Sequence, residues 1–157
     1  MDIYTVAFFG HRYIDNPFVV EDRLELLISD LLRTKQYVVF LVGRDGDFDQ
    51  LVSSTILRIR RKFRDDNSAL TLVLPYVRAE FINNEESFYD YYDEIEVCEE
   101  SNAAHFKGAI QIRNRSMVDR ADLIVCYVDH EQGGAYQTMK YALKEEKTVI
   151  NLSVDEK

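Results

Sequence analysis

Cysteine and proline are scarce in this 157-residue chain, tryptophan is absent, and basic side chains are outnumbered: two Cys, two Pro, no Trp, and 19 Lys+Arg against 28 Asp+Glu. Cys98 and Cys126 lie far apart without a Cys-x-x-Cys or Cys/His spacing, which argues against a disulfide framework and a structural zinc site. Cys126, inside the apolar run Leu123–Val128, reads as a buried small hydrophobe. Cys98 stands among acidic residues, which raise a thiol pKa rather than activate the group. No apolar run approaches the ~20 residues that span a bilayer, so no membrane partner is expected. Met1-Asp2-Ile3-Tyr4 lacks the basic start of a secretory signal, so the expected location is cytoplasmic. A net charge of −9 repels a phosphate backbone, and the expectation is no general nucleic-acid binding. A small anion remains possible, because a helix N-terminus can hold phosphate in an acidic protein.

No repeat, low-complexity tract or Pro/Gly/Ser linker divides the chain, so residues 1–157 are expected to form one domain. Short β-rich runs alternate with longer amphipathic segments. The predicted strands are Thr5–Phe9, Tyr37–Val42, Leu70–Leu74, a brief Glu94–Val97, Leu123–Val128 and Thr148–Leu152. Helices are expected after Asn16-Pro17, with Val20, Leu24, Leu27, Ile28 and Leu31 at helical spacing, and over Phe48–Phe63, Ala103–Val118 and Ala135–Glu145. This alternation predicts an α/β protein: a Rossmann-like, doubly wound, mainly parallel sheet with helices on both faces. Such sheets bind ligands beyond the carboxyl ends of their strands.

Three strand ends carry polar and glycine clusters. After the first strand come Gly10-His11-Arg12, where arginine can fork onto a phosphate and histidine can address a ribose or carry a proton. The plainer alternative is that His11 caps backbone and Arg12 pairs with an acidic neighbour. After the second come Gly43 to Asp49. Asp47, counted with Gly46 and Asp49 among the candidate ligand residues, is expected to be the N-cap of the next helix, and Asp49, one turn in, to face the ligand. After the fifth, Asp129 to Thr138 includes Gly133-Gly134 at a strand-to-helix junction, where free amides and the helix dipole suit an anion. Thr138 either adds a phosphate hydrogen bond or faces the core. Arg113 and Asn114 share a helix with Ile110 and Met117, so Asn114 either bonds loop backbone or reaches the cleft with Arg113. His11, His105 and His130 show no i,i+4 pairing, so no histidine metal site is expected, and no cofactor either. No GxSxG elbow or triad is legible. Glu80 to Glu100 holds nine acidic residues with aromatics among them, read as a solvated surface with its rings turned inward, or else as a lid or a subunit contact.

The order of these motifs resembles the SLOG superfamily, which includes the "Lonely Guy" phosphoribohydrolases and the Rossmann-like domain of DNA-processing protein A. The resemblance runs from about Tyr4 to Leu152. It implies a nucleotide-type ligand, with Gly133, Gly134 and Thr138 as the phosphate turn, Arg113 and Asn114 on the arginine helix, Gly10 and Arg12 in the first loop, and Gly46 and Asp49 in the second. By analogy with relatives, it also implies a possible homodimer. The phosphoribohydrolases carry Pro-Gly-Gly-x-Gly-Thr-x-x-Glu. Here Gln132 replaces the proline, and Lys140, Tyr141 and Ala142 stand where the glutamate would be. The expectation is therefore a nucleotide sensor or binding module, with an N-glycosidase as the alternative.

Overall fold

Along Ile3–Gly10 (β1) successive side chains point to opposite faces of a sheet, and both sets are apolar. Val6 and Phe8 join one core, Ala7 and Phe9 another. A strand buried on both faces needs helices on both. That is the architecture of the computed structural model, which describes residues 1–153. Residues 154–157, which the single-domain expectation includes, lie outside the described residues.

The other strands are Tyr37–Val42 (β2), Ser68–Leu74 (β3), Glu94–Val97 (β4), Leu123–Tyr127 (β5) and Thr148–Asn151 (β6). They form one sheet in the order β4-β3-β2-β1-β5-β6, with every neighbouring pair parallel. The helices are Pro17–Thr34 (α1), Asp47–Lys62 (α2), Ala79–Asn83 (α3), Glu85–Tyr91 (α4), Glu99–Asn102 (α5), Phe106–Arg120 (α6) and Gly134–Lys144 (α7). Helices α1, α2 and α4 cover one face through Leu24, Ile28, Leu32, Val52, Ile56 and Phe88. Helices α6 and α7 cover the other through Met117, Val118 and Ala142. Each fully buried aliphatic side chain of this kind contributes about 1.5–3 kcal/mol. The expected α/β doubly wound sheet is present, parallel throughout. No helix among the described residues is long and apolar enough to cross a membrane.

Three local expectations change. The helix foreseen over Ala103–Val118 starts later and runs on: it is α6, Phe106–Arg120, which His105 caps by accepting from the Lys107 amide at 3.3 Å, while Ala103 is the C-cap of the separate α5. Asp47 is not the N-cap of α2. Gly46 holds that position with φ 95° and ψ 175°, and Asp47 is the first helical residue, its amide donating to the Arg12 carbonyl at 2.9 Å. Around the foreseen strand Glu94–Val97, present as β4, the chain adds the short helices α3, α4 and α5.

Candidate functional site

From β1 the chain winds outward through β2, β3 and β4, then returns to place β5 on the other side of β1. The reversal lies between β1 and β5, and loops that leave those two strand ends in opposite directions open a crevice. A cleft of about 490 Å³ lies there. Gly10, His11, Arg12, Asp49, Arg113, Asn114, Gly133 and Gly134 line it, joined by Gly43, Asp45, Ile110, Met117, His130 and Gln132. Of the expected site residues, Gly46, Asp47 and Thr138 do not line this cleft.

The two glycine turns beside β1 share one backbone conformation. Gly46 caps α2 at φ 95°, ψ 175°, and Gly133 caps α7 at φ 90°, ψ 177°. That region of the map belongs to glycine. Their surroundings differ. A Cβ on Gly46 would lie 2.8 Å from the Arg12 Cα, whereas one on Gly133 would meet nothing within 4 Å. Gly133 is thus required by its dihedrals, and the space beside it is open. The first hydrogen bond of α7 runs from the Gln137 amide to the Gly133 carbonyl, so the amides of Gly134, Ala135 and Tyr136 precede the helical ladder and have no intrahelical acceptor. No side chain caps them.

Behind this turn stands a buried polar relay. The Arg113 Nη1 donates to the Val73 carbonyl at 2.9 Å, and its Nε donates to Asn114 Oδ1 at 3.0 Å. Asn114 Nδ2 donates to Thr138 Oγ1 at 3.2 Å, and the Thr138 hydroxyl donates to the Gly134 carbonyl at 2.9 Å. Thr138 is fully buried. Of the two roles open to it, the structure places it on the core side, as a brace for the turn.

On the β2 side, Asp49 Oδ2 accepts from the Asp45 amide at 3.0 Å. A Cβ on Gly43 would come within 2.8 Å of that oxygen and 3.3 Å of Arg113 Nη1. The glycine therefore leaves the room that the carboxylate and guanidinium share. Burial pushes the Asp49 carboxyl up to about 7 against the opposing pull of Arg113. Asp45 behaves oppositely: Arg78 grips it with two hydrogen bonds at 3.0 and 2.8 Å and holds it below the usual carboxylate range. Asp47 lines a neighbouring groove with Arg44, Tyr91 and Tyr92.

Beyond the ends of β1 and β5, two histidines and one carboxylate come together. His11, buried, stacks on His130 with ring centroids 3.7 Å apart and planes 12° from parallel. His130 Nδ1 lies 2.6 Å from Asp129 Oδ1, and His11 Nε2 lies 3.5 Å from the same oxygen. Burial, with His130 alongside, holds the His11 imidazole below its ordinary range despite Asp129. The hydrogen bond from His130 keeps the Asp129 carboxyl low. Chain spacing gave no sign of this trio, because the two histidines stand 119 positions apart. A hint lay in the loop ends themselves, since β1 and β5 were both expected to finish in the crevice.

The fold is a Rossmann-like α/β sheet with a cleft at the reversal of strand order. No family model matches the chain, and no curated protein matches it. Among solved structures, the chain superposes on DNA processing protein A from Streptococcus pneumoniae with a TM-score of 0.67 at 17% identity, covering 94% of this chain and 49% of that one. It also superposes on DNA processing protein A from Helicobacter pylori with a TM-score of 0.64 at 16% identity, covering 93% and 63%. The chain thus spans about half to just under two thirds of the length of these proteins, and the likeness is one of fold.

The Helicobacter pylori structure is described by its single-stranded DNA binding mode. A protein of this fold thus binds single-stranded DNA, which contradicts the expectation of no general nucleic-acid binding drawn from net charge. The expectation rested on the sum of charges over the whole chain, whereas anion recognition is local. Here Arg12, Arg113 and the unbonded amides of α7 gather in one cleft of a chain carrying −9.

Proposed function

We propose that the cleft between β1 and β5 binds a phosphate-bearing nucleotide or nucleotide-derived ligand, and that this single domain works as a binding module. One observation carries the reading. The open α7 N-terminus at Gly133-Gly134, two arginines and the Asp49 carboxyl line the same crevice at the point where this sheet type receives ligands. In this reading the Gly134–Tyr136 amides and Arg12 take the phosphate. Arg113 holds the cleft floor, while Asn114 and Asp49 address ribose or base. The single-stranded DNA bound by a protein of like fold extends the candidates to a nucleotide within a strand.

Thermal-shift and calorimetric titrations with nucleoside mono- and diphosphates, cyclic nucleotides and a short single-stranded oligonucleotide test the proposal. Binding by at least one of them, lost in Gly134→Asp, is the expected result. The substitution crowds Gln111 Nε2, which a Cβ at Gly134 would approach to 2.9 Å, and sets a negative charge beside the open amides of the turn. No binding by any, or undiminished binding in that variant, rejects it.

A second reading, cleavage of an N-glycosidic bond, is favoured by the Asp49 carboxyl being pushed up to about 7, within range for a general acid at neutral pH. It predicts release of free base from a nucleoside monophosphate, abolished in Asp49→Asn. Absence of turnover leaves binding as the function.

A further inference from the structure

We infer that His11, Asp129 and His130 form a divalent-cation site at the mouth of the cleft. The three donors come from two loops, after β1 and after β5, and their ligating atoms lie within 4.8 Å of one another. Two of them are already at coordination spacing. Donors held about 2.0–2.2 Å from a tetrahedral zinc stand roughly 3.4 Å apart, and His11 Nε2 lies 3.5 Å from Asp129 Oδ1.

A second observation is independent of that spacing. His11 is 92% buried by its 8% exposure, and its Nε2 has no hydrogen-bond partner. Buried side-chain nitrogens are nearly always satisfied, and this one is directed at a carboxylate oxygen without bonding it. A cation seated between them would give the nitrogen its partner. Asp129 is also oriented for the task. The Tyr127 hydroxyl donates to its Oδ2 at 3.2 Å, which leaves Oδ1 toward the histidines. Such outer partners fix the orientation of metal-binding carboxylates.

His130 is the adjustable donor. Its ring is stacked on His11 and bonded to Asp129, so it has to leave the stack to present its lone pair to the same ion. Its side chain is 54% exposed, so the rotation exchanges the stack and the bond to Asp129 for a bond to the ion. Two imidazoles and one carboxylate suit borderline divalent ions such as Zn²⁺ and Co²⁺. Three protein donors also leave a coordination position open. Both histidines line the cleft, so the open position faces the space that Gly133 and Gly134 border.

Protein treated with a chelator is titrated with Co²⁺, followed by visible absorption, and with Zn²⁺, followed by calorimetry. Nitrogen-15 spectra of the imidazoles are recorded in parallel. The expected result is one equivalent bound, with His11 and His130 resonances shifting while His105 stays in place. His130→Ala and Asp129→Asn alter exposed or half-exposed side chains and are expected to fold. Each is expected to weaken binding at least about tenfold. No binding at millimolar metal overturns the inference. So does binding that both variants leave unchanged, or binding that shifts His105 alone. The metal ion alone, Co²⁺ or Zn²⁺ without nucleotide, is the probe, so the inference does not rest on the nucleotide reading. Metal binding without nucleotide binding upholds the one and rejects the other.

Discussion

Asn114 donates its amide to the hydroxyl of Thr138 across 3.2 Å, and both side chains are buried. The bond joins α6 to α7 directly behind the Gly133-Gly134 turn. Removing the hydroxyl while keeping the shape isolates its worth. Thr138→Val leaves the Asn114 amide and the Gly134 carbonyl without this partner, and is expected to lower stability by about 1–3 kcal/mol. Thr138→Ser, which keeps the hydroxyl, is expected to lose less. Urea denaturation of the two variants side by side measures the difference. Equal losses would mean that packing of the methyl, rather than the hydrogen bond, is what Thr138 supplies.

The Asp49 carboxyl gives a pH dependence of definite sign. Its folded value is pushed up to about 7 from an ordinary 3.8. Between those values the native state holds a proton that the unfolded chain has released. Stability therefore falls as pH rises from about 4 to about 7 and flattens above, with a slope from this one group of at most about 1.4 kcal/mol per pH unit. Asp49→Asn cannot titrate. Wild-type stability minus that of the variant, followed by chemical denaturation across this range, is expected to fall with pH. A difference that stays level would show that Arg113 keeps the carboxyl ionised throughout.

The twin glycine caps are expected to respond unequally to the same substitution. Gly133→Ala meets only the dihedral penalty, about 1–3 kcal/mol for a non-glycine residue in that region. Gly46→Ala meets the same penalty and places its Cβ 2.8 Å from a backbone atom of Arg12, so it is expected to be the more destabilising. Equilibrium unfolding of both variants ranks them, and the reverse order would be incompatible with the turn geometry described.

Arg12 is exposed and lines the cleft. Its replacement by Ala is expected to change stability by no more than about 0.5 kcal/mol, as for other surface changes. Loss of a charge-assisted contact to phosphate is worth about 1.5–3 kcal/mol, so nucleotide affinity is expected to drop tenfold or more, with weaker salt dependence. Calorimetry at two salt concentrations checks both effects. Unchanged affinity would remove Arg12 from the phosphate site.

The sheet was legible because its signal is local. Strands such as Tyr37–Val42 and Leu123–Tyr127 are continuous apolar runs, and the α1 stripe through Val20, Leu24, Ile28 and Leu31 repeats at helical spacing. The break between α5 and α6 was hidden, because it depends on the His105 ring turning back to the Lys107 amide, and sequence spacing does not encode that rotamer. The cleft was legible in outline, since strand ends in a doubly wound sheet converge by topology. The direction of each side chain was not. Thr138 lies inward because α7 begins at Gly134, four residues earlier, whose carbonyl takes its hydroxyl. His130 meets His11 only because β5 pairs with β1 in a register that sets Tyr127 beside Gly10.

The relay from Val73 through Arg113, Asn114 and Thr138 to Gly134 has a consequence for how a ligand is received. It ties the turn to the third strand before anything binds, so little chain entropy remains to be lost on association. Under the proposed binding role, a seat preorganised in this way would take its ligand without a slow closing step, and the rate of complex formation would be set by encounter rather than by rearrangement of the loop.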